Sequence, residues 1–147
     1  MGYAAKTEVP FEKSMGEVVA LLARHGADHI GQMQSRDRFT LQFALGDRTI
    51  RFVIPFAQPE QIEATRGRRA FEDAADQARR QRGRALLLVI KAKLESIDTG
   101  IETTEQAFLA NVVMPGDRTV HEHVAPAIAA HYAGQKTGAP LLPGPTR

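Results

Sequence analysis

Residues 38–55 read RFTLQFALGDRTIRFVIP, two runs of alternating apolar and polar residues joined by Gly46 and Asp47. Such alternation is typical of strands with one buried face, and a Gly–Asp pair between two runs is typical of a tight hairpin. The stretch therefore predicts the centre of an antiparallel sheet, with strands over 38–45 and 48–55. Its polar face would carry four side chains: Thr40, Gln42, Thr49 and Arg51.

The residues before this hairpin predict two further strands and a helix. The strands are predicted over 28–34 and over 3–9. Between them, Ser14 and Glu17 have the S-x-x-E spacing of a capping box, which predicts the start of a helix. Gly26 supplies the expected stop of that helix.

A long helix is predicted over residues 68–98. In its first half one face carries Ala70, Phe71, Ala74, Ala75 and Ala78, and most arginines fall on the other face. From Ala85 onward the apolar residues ALLLVI point in every direction, so this half is expected to be covered on several sides. A buried strand is the alternative for ALLLVI, but its direct continuation into KAKLESI favours helix.

Two helices are predicted after Gly100. Thr103 with Gln106 begins one that runs to about Val113, and a turn follows at 115–117. Thr119 with Glu122 caps the last helix, in which Pro126 introduces a kink or a restart.

The resulting order is β-α-β-β-β-α-α-α, which predicts an α+β fold: a small antiparallel sheet with helices packed on one face. The length of 147 residues suits a single domain over 1–134. Residues 135–147 are rich in glycine and proline and are predicted to be a flexible tail.

Composition narrows the functional classes. The chain has no cysteine, which excludes disulfides, thiolate zinc sites and cysteine nucleophiles. The N-terminal residues show no signal-peptide pattern, and the longest apolar run is too short to cross a bilayer. We therefore expect a cytoplasmic protein with no membrane partner.

Catalytic signatures are missing from the sequence. It contains no G-x-S-x-G elbow, no Walker phosphate loop and no G-x-G-x-x-G. His121, Glu122 and His123 do not match the H-E-x-x-H arrangement of zinc enzymes. We expect a non-enzymatic protein with no metal and no cofactor, although a catalytic site without a known motif stays open.

Residues 66–84 contain seven arginines against three carboxylates, a local balance of +4 in a chain of formal charge +2. Guanidinium groups are forked donors that suit phosphate, so this stretch indicates DNA or RNA as partner. Arg51 extends the set from the sheet. The candidate nucleic-acid-binding or partner-binding residues are Arg68, Arg69, Arg79, Arg80, Arg82, Arg84 and Arg51.

Three other interpretations of this surface stay open. The arginines could be a solvated face that pairs with carboxylates of the same helix, for example Asp76 with Arg79 or Arg80. They could bind an acidic protein. The apolar segment and the face of His131 could form a homo-oligomer interface.

The polar face of the sheet, together with Arg36, Arg38 and Arg48, is a second candidate surface. The phenylalanines of the sheet fall on its apolar face, which argues against base stacking there.

Three segments, YAAKTEVPFEKSMGEVVALLARHGA, GDRTIRFVIPF and RRQRGRALLLVIKAKLESI, resemble a family of small proteins common in bacteriophage and prophage genomes. The resemblance extends to TVHEHVAP and to the LLPG tail. It implies a phage accessory protein that acts in phage DNA metabolism or against host functions. The alternative to nucleic-acid binding is therefore an anti-defence inhibitor, for example of the anti-CRISPR type, that binds a host protein or ribonucleoprotein.

Overall fold

The computed structural model describes residues 4–56 and 67–134. The elements, in chain order, are α1 (Phe11–Arg24), β1 (Asp28–Gln34), β2 (Arg38–Leu45), β3 (Arg48–Pro55), α2 (Arg68–Asp98), α3 (Thr104–Ala107), a 3₁₀ turn (Leu109–Asn111), β4 (Val113–Met114), β5 (Arg118–Thr119) and α4 (Val120–Tyr132). The predicted α+β class is confirmed, as are the three strands and the long helix. The predicted flexible tail lies outside the described residues.

The main sheet has the order β1-β2-β3 with antiparallel neighbours. Gly46 turns the chain between β2 and β3 with φ 61°, a left-handed conformation that glycine adopts without steric cost. The predicted alternation is realised, because one face of the hairpin is buried: Phe39, Leu41, Phe43, Leu45, Ile50 and Ile54.

Helices α1 and α2 cover this apolar face. Phe11 of α1 meets Phe39 and Phe56 edge to face, with ring centroids 5.0 and 5.7 Å apart. From α2, the buried side chains are Leu86, Ile90 and Leu94. Phe108 closes the far end of the core against Phe43, at 5.8 Å between centroids.

The two helices approach closely at Gly83. A Cβ built on this residue would lie 3.0 Å from the Cβ of Ser14 and 3.1 Å from the ring of Phe11. Glycine allows this close approach, because a methyl group here would require the facing side chains to move by a few tenths of an ångström.

Two predictions near the N-terminus are wrong. The described part of the segment 3–9 contains a turn and no strand. The segment lies instead against α2, where Gln77 Nε2 donates to the carbonyl oxygens of Ala5 and Thr7 at 3.1 and 3.0 Å. Helix α1 starts at Phe11, one turn before the predicted cap, so Ser14 is buried inside the helix.

The helix predicted from Thr103 to Val113 is interrupted. The capping box of Thr103 and Gln106 is present, but α3 ends at Ala107 and a 3₁₀ turn follows. The chain then leaves the helical path because Val112 bridges to Ile50 and Asn111 Nδ2 donates to the Arg51 carbonyl at 3.0 Å. These contacts provide hydrogen-bond partners for the edge of β3. Local helix propensity cannot predict them, because the partners are distant in sequence.

The turn predicted at 115–117 joins β4 and β5, a short hairpin that the sequence did not reveal. Helix α4 follows with the predicted capping box of Thr119 and Glu122. It runs through Pro126 without a restart. Its exposed carbonyl at Glu122 accepts a hydrogen bond from Arg118 Nη2 at 2.8 Å.

The segment from Ala85 onward is covered on one side only. Leu86 and Ile90 are buried, whereas Leu88 and Val89 are exposed. The prediction of cover on several sides is therefore wrong for the described residues, because α1 and the sheet both lie on one side of α2. His131, predicted to belong to an apolar face, is exposed and meets the Tyr132 ring.

Candidate nucleic-acid interface

The first half of α2 extends past the end of the sheet. A helix of 31 residues is about 46 Å long. Arg79 lies over Phe56, the residue that follows β3, with its guanidinium carbon 4.2 Å from the ring centroid. The start of α2 at Arg68 is therefore about 16 Å further along the helix axis.

The first turn of α2 is positively charged, and no side chain of the described residues caps it. Gly67 occupies the N-cap position with φ 91°, and the first turn contains no acidic residue. Arg68 and Arg69 occupy the first two helical positions and are exposed. The unpaired N–H groups and the helix dipole add to these two charges, so this end of the helix favours anions.

Arg68 is mostly solvent-accessible even though it has an ion-pair partner. Its Nε lies 3.1 Å from Glu72 Oε1, and its side chain is 91% exposed. An exposed i,i+4 pair of this kind contributes little free energy, so a phosphate can replace the carboxylate. Arg69 has no ion-pair partner among the described residues.

The Arg80 guanidinium forms hydrogen bonds with a neighbouring side chain of the same helix. Its Nε and Nη2 donate to Gln77 Oε1 at 3.2 and 2.8 Å. The Gln77 amide group is oriented by its bonds to Ala5 and Thr7. Arg80 is consequently half-buried but carries its charge without a carboxylate partner among the described residues.

Arg79 and Arg84 face the protein body. Arg79 covers the Phe56 ring. Arg84 forms an ion pair with Glu17 of α1, and its side chain is 22% exposed. These two contacts link α2 to the sheet and to α1, so both arginines act primarily in folding.

Arg82 is half-buried, and its Nη1 is shielded from solvent and has no hydrogen-bond partner among the described residues. A guanidinium N–H in this position loses its hydration without compensation. The remaining donors of Arg82 are the part that can contact a ligand.

Arg51 holds the β4–β5 hairpin against the sheet. Its Nε donates to Gln42 Oε1 at 2.9 Å, and Nη1 donates to the Asp117 carbonyl at 3.0 Å. Nη2 forms an ion pair with the Asp117 carboxylate, and the side chain is only 15% exposed. Arg51 is therefore apart from the arginines of α2 and is used structurally.

The predicted set of seven arginines is thus divided by the structure. Arg68, Arg69 and Arg80 are available in the first half of α2, and Arg82 is partly available. The expectation that Arg79 and Arg84 face solvent is wrong, because both side chains contact the protein body. The predicted pairing of Asp76 with Arg79 or Arg80 is not formed.

No family model, curated protein or solved structure matches the chain.

Residues 4–56 and 67–134 contain neither a membrane-spanning helix nor a cluster of metal-binding side chains. None of the helices there is long and apolar enough to cross a membrane. The same residues contain no group of three or more histidine, aspartate or glutamate side chains placed to hold a metal ion.

The other arginines of the sheet are paired with acids. Arg48 donates from Nη2 to Glu105 Oε2 at 2.8 Å, and this hydrogen bond raises the pKa of Arg48. Arg38 lies 3.2 Å from Asp37, and the pKa of Asp37 is lowered by hydrogen bonds from Ser35 and Arg38. These pairs weaken the case for the sheet as a phosphate-binding surface.

A cleft of about 370 Å³ lies between the outer face of the sheet and the start of α4. Arg38, Arg51, Asn111, His121 and Glu122 are among its lining residues. Hydrogen bonds from the backbone and side chain of Thr119 lower the pKa of Glu122, and the charge of Arg51 adds to this effect. The sequence did not indicate the cleft, because its walls come from distant segments.

Proposed function

We propose that this protein is a non-enzymatic accessory protein that binds DNA or RNA electrostatically through the first half of α2. The observation that carries the proposal is the uncapped first turn, where Arg68 and Arg69 are exposed and no acidic residue is present. Phosphate is the ligand that both guanidinium groups and free helical N–H groups prefer. Little sequence preference is expected, because phosphate contacts carry no direct base information.

The number of available arginines sets the expected salt dependence. If Arg68, Arg69 and Arg80 each neutralise one phosphate of duplex DNA, log affinity falls with log salt at a slope of about −2.7. Five contacts would give a slope of about −4.5. The shallower slope is expected because Arg79 and Arg84 contact the protein body and are not available to phosphate.

The test is a charge reversal at the start of α2. Arg68→Glu with Arg69→Glu removes two phosphate contacts and repels the nucleic acid. Acidic side chains in the first turn of a helix interact favourably with the helix dipole, so the variant is expected to fold. A matched control is Lys13→Glu with Lys91→Glu, which makes the same change in net charge at two exposed positions.

Binding to duplex DNA, single-stranded DNA and RNA would be measured by fluorescence anisotropy over a range of salt concentrations. We expect the Arg68→Glu/Arg69→Glu variant to lose most salt-sensitive binding and the Lys13→Glu/Lys91→Glu control to retain it. Equal loss in both variants would show a dependence on net charge alone. That result, or no binding by the wild type, would overturn the proposal.

A second candidate function is an anti-defence inhibitor that binds a host protein or ribonucleoprotein. The exposed Leu88 and Val89 on the outward side of α2 favour it, because a partner surface would cover them. Pull-down from bacterial lysate after nuclease treatment separates the two functions. A stoichiometric protein partner that survives the treatment supports inhibition, and loss of every partner supports nucleic-acid binding.

The proposed setting is the cytoplasm of a bacterial cell that carries a phage or prophage. This part of the proposal depends on the resemblance of the sequence to small phage proteins. The neighbouring genes test it, because a recombination cluster and an anti-defence cluster imply different roles.

A further inference from the structure

Strand β1 is the open edge of the main sheet. The order β1-β2-β3 leaves one side of β1 without a described strand. The opposite edge, on β3, is covered by the bridge between Ile50 and Val112. An open edge presents unpaired N–H and C=O groups that can pair with another strand.

β1 also extends beyond the helical layer. Gln32 and Gln34 pair with Leu41 and Phe39, so they belong to the face that α1 and α2 cover over β2. Both glutamines are nevertheless exposed, and only Ile30 is half-buried in this strand. β1 is therefore accessible at its edge and on both faces.

The usual protections of an edge strand are weak here. Residues 30–34, IGQMQ, contain no charge and no proline. The irregularity in pairing with β2 is confined to the interval between Asp28 and Gly31, where His29 has φ 50°. The part of β1 from Gly31 to Gln34 is regular and can accept a further antiparallel strand.

We propose that β1 pairs with β1 of a second copy of this chain, antiparallel and centred on Gln32, to form a six-stranded sheet across a dimer. A two-fold axis at Gln32 places Gln32 opposite its equivalent and Gly31 opposite Met33 of the second copy. Met33 is 71% exposed, and a Cβ at Gly31 would have no neighbour within 4 Å in the described part of the chain, so the methionine has space there.

Charge complementarity favours a second copy as the occupant. The same axis directs the start of β1, at Asp28, towards the segment after β1 of the second copy, which contains Arg36, and the symmetry does this twice. Arg36 is exposed and has no hydrogen bond or ion pair with a described residue. Among the described residues, the Asp28 carboxylate has hydrogen-bond and ion-pair contacts only with the neighbouring His29, at 3.5 Å between Oδ2 and Nδ1. The register therefore opposes no like charges in the regular part of β1 and brings opposite charges towards each other at its two ends.

The first experiment measures mass in solution by sedimentation equilibrium on the full chain. The proposal expects a dimer whose dissociation constant rises by up to roughly fivefold in Gln32→Lys and in Gln32→Glu, because like charges then face each other at the axis. An equimolar mixture of the two variants is expected to regain association through a lysine–glutamate pair. This rescue separates a defect at the interface from a defect in folding.

The second experiment uses the absence of cysteine. Gln32→Cys places two thiols across the axis at the Cα separation of an antiparallel pair, about 4.5 to 5.5 Å, which a disulfide can span. Mild oxidation is expected to give a covalent dimer of Gln32→Cys. The control Thr49→Cys, exposed on β3, is expected to stay monomeric on a denaturing gel.

A wild-type chain that is monomeric at every concentration would overturn the proposal. An extended peptide of another protein would then be the alternative partner for the edge of β1. A dimer that is insensitive to charge at position 32, and that crosslinks equally through position 49, would overturn it in favour of another surface. Both experiments measure self-association without nucleic acid. A failure of the dimer proposal therefore says nothing for or against the proposed nucleic-acid binding.

Discussion

The guanidinium of Arg79 lies 4.2 Å from the centre of the Phe56 ring, on the side of α2 that faces the sheet. The sequence places Arg79 in a cationic cluster that was expected to face solvent. The contact instead places it in the structure that holds α2 against the sheet. Folding and binding should therefore respond differently to substitution at neighbouring arginines of one helix.

Arg79→Ala is expected to lower the free energy of unfolding by about 1 kcal/mol, because a cation–π contact and the packing of the side-chain stem are both lost. Its nucleic-acid affinity should change far less than that of Arg69→Ala. Arg69→Ala, at an exposed position, is expected to leave stability within about 0.5 kcal/mol of wild type. Urea unfolding and anisotropy on the two variants check this separation. Equal behaviour of the two in both assays would contradict it.

Gly83→Ala and Gly16→Ala form a matched pair of substitutions inside helices. At Gly16 a Cβ meets nothing within 4 Å, so alanine should stabilise the protein by up to about 1 kcal/mol through helix propensity. At Gly83 the added methyl group meets Ser14 and Phe11, so alanine should destabilise by about 1 to 3 kcal/mol. Thermal and urea unfolding measure both. A stabilising Gly83→Ala would contradict this prediction and would show that Ser14 and Phe11 move to accommodate the methyl group at little cost.

Arg118 and Pro126 are expected to be coupled through the carbonyl of Glu122. Pro126 has no N–H for the carbonyl four residues earlier, and Arg118 Nη2 donates to that oxygen at 2.8 Å. Arg118→Ala should cost about 0.5 to 1 kcal/mol in the wild type and less in a Pro126→Ala background, where the helix supplies the donor. A double-mutant cycle measures the coupling. Purely additive effects would show that Arg118 does not replace the missing bond.

Glu122 is expected to make stability depend on pH. Its pKa is lowered in the folded protein by hydrogen bonds from Thr119. A lowered folded pKa stabilises the protein above the unfolded pKa, and this contribution is lost as pH falls through the folded value. Glu122→Gln keeps an acceptor for the capping box but does not titrate. The stability advantage of wild type over Glu122→Gln should therefore be present near neutral pH and disappear in the acid range below about pH 4.

Unfolding of both proteins in urea at several pH values tests this expectation, and an NMR titration of the Glu122 carboxyl gives its pKa directly. A difference between the two proteins that does not change with pH would refute the assignment. Arg118 and Arg51 also lower this pKa, so Arg118→Ala is a useful second comparison.

Much of the fold could be predicted from local patterns. The strands at 28–34, 38–45 and 48–55 and the helix at 68–98 have the predicted bounds, because period-two and helical patterns are properties of neighbouring residues. The capping boxes at Thr103 and Thr119 were predicted for the same reason, since each joins residues three apart. Predictions from local patterns were wrong where contacts with a distant segment outweighed local helix propensity. Asn111 and Val112 are the example, because they leave the helical path and contact the edge of β3.

The candidate site shows the same division. The sequence by itself determined that seven arginines fall within residues 66–84 and that a long helix is predicted from residue 68, because helical spacing and charge can be counted along the chain. Only the tertiary structure decided which of them are available. The rotation of α2 about its axis is set by burial of Leu86, Ile90 and Leu94, and this rotation turns Arg79 towards Phe56 and Arg84 towards Glu17 while Arg68 and Arg69 extend past the sheet. A helix cannot satisfy its core contacts and the solvation of every charged side chain independently, because all of them are attached to one rigid backbone.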